Sequence, residues 1–307
     1  MAKCTILSID GGGIRGIIPA TILKCIENEI KTPIYNKYDI GSGSSAGALI
    51  MLQLNGLKFS AEKVLTHFTD PQMIGEMFHK RFLRFVSLFY GPIYDGVSKS
   101  KMIESILSCD MKFTNIDKPT LITAYDLTNK QSVVFKSTGG SDSQRDATIA
   151  QVADASSAAP TYFPPVKIGN DWLVDGGIAA NDPCMCALSY ALKLGYPLSE
   201  IKVLSLGTGL SKKQSAIRKK HVKSSDHWGK VSWLKHGIID DLMRGNTTIS
   251  EYQCRTLLAE NHLRINPDLE HADSAMDNIT KENIKNLVDV GIKSYNDNKE
   301  KIIQFLC

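Results

Sequence analysis

Apolar and polar positions fall into two periods that alternate along the chain. Cys4 to Ile9 is a short apolar, β-branched run stopped by Asp10 and three glycines, the pattern of a buried strand entering a turn. Ile17 to Ile30 then carries apolar residues at helical spacing, with Pro19 in the first turn, where its missing N–H removes no internal bond. The unit repeats: Tyr38-Asp39-Ile40 reads as a strand, a turn of Gly and Ser follows, and a helix of small and apolar residues is predicted from Ala46 to about Leu54.

From Ser60 the period is helical again, with Ser60 as cap and Glu62 in the first turn. Thr120 to Tyr125 and Ser132 to Phe135 read as strands about a turn at Asn129. Thr148 to Ser156 reads as a helix that ends before Pro160, because a residue preceding proline avoids the helical region. Trp172 to Val174 is a short strand, Asp182 and Pro183 open a helix as cap and first residue, and Ile201 to Leu206 is a buried strand entering Gly207-Thr208-Gly209. Residues after about Trp228 look mostly helical. The alternation predicts a three-layer α/β/α sandwich on a mostly parallel sheet, with its reactive loops at the carboxyl ends of the strands. We expect one domain over residues 1–307, with its motifs within about 4–209 and a helical C-terminal part from about 228.

Composition narrows this picture. With 43% hydrophobic and 22% charged residues, the 307-residue chain can bury a large core. Its apolar runs are too short for a membrane-spanning helix, and the N-terminus enters a strand pattern without the features of a secretory signal, so a cytoplasmic protein is expected. Seven scattered cysteines, an odd number, suggest reduced thiols. Cys184 and Cys186 form a C-x-C with no second pair at metal-site spacing, so they read as two helical thiols, and neither metal nor cofactor is expected. A net charge of +4 is too mild to imply nucleic acid.

Three segments carry candidate chemistry. Gly43-Ser44-Ser45-Ala46-Gly47 is a G-x-S-x-G between a strand and a helix, where small flanking residues allow a sharp turn that projects the Ser45 hydroxyl. The helix start favours negative charge, and the Ala46 amide can face an oxyanion. Asp10-Gly11-Gly12-Gly13-Ile14-Arg15-Gly16 lets backbone amides approach a ligand closely. That loop also fits the dinucleotide fingerprint, but a carboxylate beside a pyrophosphate is adverse, and the chain runs on into a serine elbow. Val174-Asp175-Gly176-Gly177 puts a carboxylate at a strand end; taken alone it is an ordinary turn.

Taken with Ala155-Ser156-Ser157-Ala158-Ala159-Pro160-Thr161-Tyr162-Phe163-Pro164-Pro165, these blocks resemble the patatin family in order and spacing over at least residues 4 to 209. The resemblance implies a lipid acyl hydrolase related in fold to the catalytic domain of cytosolic phospholipase A2 and working through a Ser/Asp dyad. Ser45 then takes the nucleophile role, Asp175 the base, and Gly11, Gly12 and Gly13 with Ala46 the oxyanion hole. Gly16, Gly43, Gly47, Gly176 and Gly177 are the motif glycines. Arg15 either contacts a phosphate headgroup or braces its loop by pairing with a carboxylate. The expected substrate is a phospholipid or other acyl lipid, and turnover is expected to be metal-independent.

Two rivals stay open. An α/β-hydrolase triad would draw its histidine from His221, His227, His236, His262 or His271, none of which sits in a marked turn. A silent binding or storage protein on the same scaffold would keep the fold without the activity. Peripheral membrane contact has two candidate segments. Met77 to Tyr90 mixes aromatics with Lys80, Arg81 and Arg84 and reads either as an interfacial lid or as a packed helix. Ser211 to Lys223 is basic without an acidic residue and reads either as a site for anionic headgroups or as a solvated loop.

Overall fold

The computed structural model describes residues 4–81, 91–107, 109–139, 146–211, 229, 232–233 and 237–306. Eight strands form one sheet: β1 (Cys4–Ile9), β2 (Ile40–Gly43), β3 (Thr120–Asp126), β4 (Gln131–Lys136), β5 (Val166–Ile168), β6 (Asp171–Asp175), β7 (Ile201–Leu206) and β8 (His262–Ile265). Their order is β5-β6-β3-β2-β1-β7-β8, with β4 also paired to β3. From β3 through β2, β1 and β7 to β8 every pairing is parallel, whereas β4, β5 and β6 pair antiparallel. The helices are α1 (Ile17–Ile30), α2 (Ala46–Gly56), α3 (Ala61–Thr69), α4 (Pro71–Met77), α5 (Gly96–Ile106), α6 (Ile149–Ser156), α7 (Gly177–Ala180), α8 (Cys184–Lys193), α9 (Ile238–Leu258) and α10 (Lys281–Leu306).

Strand alternation divides the core into two layers. Leu7, Ile9, Leu204 and Leu206 pack into the cluster that holds the apolar faces of α1, α2 and α10. Cys4, Ile6, Ile201 and Val203, their neighbours along the same strands, pack into a second cluster with Cys184, Leu188, Cys254 and Leu258 of α8 and α9. Because β1 lies between two parallel partners and under helices on both faces, all six of its residues are buried, which is why it reads as an unbroken apolar run. The three-layer α/β arrangement expected from the sequence is the one found.

The C-terminal part differs from its mostly helical expectation by one element. β8 inserts between α9 and α10 and extends the sheet beyond β7, with Val203 opposite His262 and Leu206 opposite Ile265. At four residues it is too short for a period to stand out, and His262 and Arg264 break its apolar run. No described helix is long and apolar enough to cross a membrane.

One registration fixes where the reactive loops meet. β4 occupies one edge of β3 over its whole length, so β2 and β6 share the other edge. Gly43, the last residue of β2, lies opposite Ile122, and Asp175, the last residue of β6, lies opposite Ala124. The two strands therefore run toward each other and end on either side of Thr123, about 7 Å apart at the usual strand rise.

Candidate active site

Ser45 follows the end of β2 by two residues and is the residue from which α2 starts, at φ 51 and ψ −119. A non-glycine residue in that region is strained by about 1–3 kcal/mol, so the surroundings must enforce it. Its own N–H donates to Ser156 Oγ at 3.0 Å, and Gly47 N–H donates back to Ser44 O at 2.7 Å. Gly47 is required for close approach: a Cβ there would stand 2.2 Å from Ile9 O, so any side chain would force the elbow away from β1.

Asp175 is 1% exposed. Its carboxylate accepts a hydrogen bond at 2.7 Å from Gly177 N–H, and the Ser45 hydroxyl lies near enough to favour its charged form. Burial pushes its pKa up to about 6, and the Ser45 hydroxyl, the Gly177 hydrogen bond and the Lys99 charge hold it from rising further. The structure thus places Ser45 and Asp175 at one site, close enough for the hydroxyl to influence the carboxylate. Gly176, tight against Thr123, and Gly177, against Met243 and Asn181, lead the chain from Asp175 into α7.

The segment after α6 supports both residues at once. Besides the Ser156 Oγ contact, Ser156 O accepts from Gly176 N–H at 3.2 Å, and Ala158 O accepts from Asp175 N–H at 3.0 Å. Lys99, 1% exposed, pins this segment by donating to Asp154 O at 2.8 Å and Ser157 Oγ at 3.2 Å, while pairing with the Asp154 carboxylate at 2.8 Å. Burial lowers the Lys99 pKa against the pull of Asp154. The sequence marked residues 155–165 as a motif without a role, and it gave no sign of Lys99, which lies 58 positions from Ser157.

The glycine loop lies beside Ser45, with one change from expectation. Gly11 N–H donates to Asn181 O at 3.1 Å, so that amide is occupied and is not an oxyanion donor. The Gly12, Gly13 and Ala46 amides have no acceptor among the described residues, since the first turn of a helix leaves its N–H groups unpaired. Gly13 adopts φ 57, where a side chain is strained. Arg15 donates to Gly12 O and Gly209 O, each at 3.3 Å, so it braces the loop through carbonyls; among the described residues no carboxylate forms an ion pair with it, although the Asp240 charge favours its cation. Gly16 closes the loop against Phe68.

Behind the loop lies a group that sequence reasoning missed. Asp10 accepts both guanidinium branches of Arg264, at 2.7 and 2.5 Å, and Asp182 Oδ2 lies 3.7 Å from the same group. Burial opposes the Arg264 charge, but the two carboxylates outweigh it and raise its pKa. A buried Asp at a strand end signals a missing cation, yet nothing local points to a residue 254 positions away.

Two cavities flank the site. Ser45, Leu49, Met73, Met102 and Phe163 line a narrow apolar one of about 80 Å³; Arg15, Asn181, Asp240 and Arg244 line a polar one of about 380 Å³, and Tyr162 and Met276 border both. His67 reaches the apolar cavity with its Nδ1 2.6 Å from Gln53 Oε1. Residues 7–188 match the family described as Patatin-like phospholipase. Patatin-like protein 3 of Arabidopsis thaliana is 30% identical over 94% of this chain and 79% of its own length, and Patatin-like protein 2 of the same plant is 31% identical over 94% and 81%.

The chain belongs to the patatin-like phospholipase family.

Among solved structures, human GIVD cytosolic phospholipase A2, in complex with a methyl gamma-linolenyl fluorophosphonate inhibitor, shares the fold with a TM-score of 0.50. The match has 11% identity and covers 99% of this chain and 59% of that one. For this patatin-like phospholipase, two of the five candidate triad histidines are described: His262 lies against the Arg264 group and His271 is exposed, and neither contacts Ser45 or Asp175. His221, His227 and His236, with most of the basic block 211–223 and residues 82–90 of the candidate lid, lie outside the described residues. Met77 and Phe78, at the start of that lid segment, line the apolar cavity.

Proposed function

We propose that this chain hydrolyses fatty acyl esters of glycerophospholipids or related lipids, with Ser45 as nucleophile and Asp175 as its side-chain base. The observation that carries the reading is the Ser45 hydroxyl placed close to a buried carboxylate, beside amides without acceptors and at the wall of an apolar cavity. Family membership supports lipid acyl hydrolysis in general; the dyad is our reading of the geometry.

In this mechanism Ser45 Oγ attacks the ester carbonyl carbon as its proton passes to Asp175. The carbonyl oxygen becomes an oxyanion facing the amides of Gly12, Gly13 and Ala46; elsewhere, loss of one such donor costs about 3–4 kcal/mol. Collapse expels the alcohol, which takes the proton from Asp175 and leaves an acyl group on Ser45. Water then attacks with Asp175 again accepting the proton, and Ser45 Oγ leaves with it. A base with a pKa of about 6 is ionised at neutral pH and more basic than an ordinary aspartate, which suits both proton transfers. The acyl chain occupies the apolar cavity, and the polar part of the lipid faces the polar one.

The same reading treats residues 1–307 as one catalytic domain acting on membrane lipid from the cytoplasm, since β8 completes the sheet and α10 packs into the same core cluster as α1. A fluorophosphonate probe is expected to label the wild type, and not Ser45→Ala. Mass spectrometry of mixed phospholipids is expected to find free fatty acid released by the wild type and almost none by Asp175→Asn. A chelator is expected to leave turnover unchanged. Wild type that neither takes the probe nor releases acyl chains would favour the silent binding protein; a histidine substitution as damaging as Ser45→Ala would favour the triad.

A further inference from the structure

Cys184, at the start of α8, and Cys254, near the end of α9, have no solvent exposure, and their sulfur atoms lie 2.6 Å apart. This is about 0.5 Å longer than a disulfide bond. His262 completes a group whose ligand atoms lie within 4.8 Å of one another, and its Nε2 is buried without a partner, so a metal ion is the rival occupant. Sulfur spacing decides between them. Two thiolates bound at about 2.3 Å to one tetrahedral zinc stand roughly 3.7 Å apart, far wider than this pair.

We propose that, contrary to the reduced thiols expected from the sequence, Cys184 and Cys254 form an intramolecular disulfide under oxidising conditions that fastens α9 to α8. The pair is set apart from the other described thiols: Cys4 and Cys25 lie on β1 and α1, Cys109 is exposed, and Cys186, although its charge interacts with Cys254, is not recorded in sulfur contact. The reaction balances with a small-molecule disulfide as oxidant. One protein thiolate attacks RSSR and expels RS⁻; the second thiolate attacks the mixed disulfide, forms the protein S–S bond and expels the second RS⁻. Two thiol protons go to the two expelled thiolates, so two protein thiols are oxidised and one RSSR is reduced to two RSH.

Contact with Cys254 and burial push the Cys184 thiol up, so the docked pair is a poor nucleophile. Once formed, the bond is shielded from reductant by its burial. It also bears on the reactive loops. Two turns before Cys254, Asn246 Oδ1 accepts from Asn181 N–H at 2.9 Å and Asn246 Nδ2 donates to Gly177 O at 2.7 Å, while Thr247 Oγ1 accepts from Asn181 Nδ2 at 3.0 Å. The inference does not depend on the proposed lipid hydrolysis.

The test is to refold the full chain from denaturant in a buffer of oxidised and reduced glutathione, block the remaining thiols with iodoacetamide, and map the peptides. The expected result is one cross-link joining the Cys184 and Cys254 peptides. The melting temperature should rise by at least about 5 °C over the reduced protein, with the rise absent in Cys254→Ser. Should Cys254→Ser fail to fold, the wild-type map with and without reductant decides alone. Alkylation of both thiols, cross-links confined to other cysteines, or one zinc ion per chain released by a thiol-blocking reagent would overturn the proposal.

Discussion

At Ser45 and Asp175, function and stability pull in opposite directions. Ser45 holds a backbone conformation that only glycine adopts freely, so Ser45→Gly is expected to raise stability by about 1–2 kcal/mol in denaturant unfolding while abolishing probe labelling. Asp175 has a folded-state pKa of about 6, above its ordinary value, so the folded protein holds this proton more tightly than the unfolded chain does. Its contribution to stability is therefore full below about pH 4 and lost as pH rises to about 6. Hydrolysis, which needs the ionised base, should run the other way, falling on the acid side of about pH 6 in a kcat profile. Asp175→Asn is expected to stabilise the fold by about 1–3 kcal/mol at neutral pH and to cut kcat by about 10²–10⁴. Both residues were legible in the sequence because each sits in a turn of small residues at a strand end. Arg264 was not, since its carboxylate partners Asp10 and Asp182 come from distant strand and helix ends.

At the level of the element, the short helix α6 sets the precision of the site. Thr148 opens it with a reciprocal capping box to Gln151, and its C-terminal residues hold Ser45 and the Asp175 turn together. Thr148→Ala is expected to cost about 1 kcal/mol in thermal unfolding with little change in KM. Ser156→Ala leaves the buried Ser45 N–H without its acceptor and is expected to cost about 1–3 kcal/mol in thermal unfolding and to lower kcat about tenfold. A loss of stability with kcat unchanged would mean that the contact is merely structural. The helix itself was legible from its apolar spacing and Pro160. β5 and β8 were not, because three or four residues are too few to establish a period, and β8 pairs with a strand remote in sequence.

At the scale of the molecule, Arg264 ties the end of β1 and the start of α8 to the edge strand β8 through Asp10 and Asp182. Arg264→Met would leave two carboxylates buried without their cation, a change expected to destabilise by about 3–5 kcal/mol in urea unfolding and to lower activity only in parallel with the folded fraction. The alternation of strand and helix made the layered architecture legible, since the central strands β1, β3 and β7 are buried almost throughout; the meeting of β2 and β6 along β3 was not, because register leaves no mark in either strand alone. That meeting has an evolutionary consequence. The spacing between the proposed nucleophile and base is measured off on Ile122, Thr123 and Ala124, so the long stretches threaded between these strands are free to lengthen, shrink or be exchanged. A lineage can redesign what covers its reactive centre, and so which lipids it admits, without re-solving the chemistry.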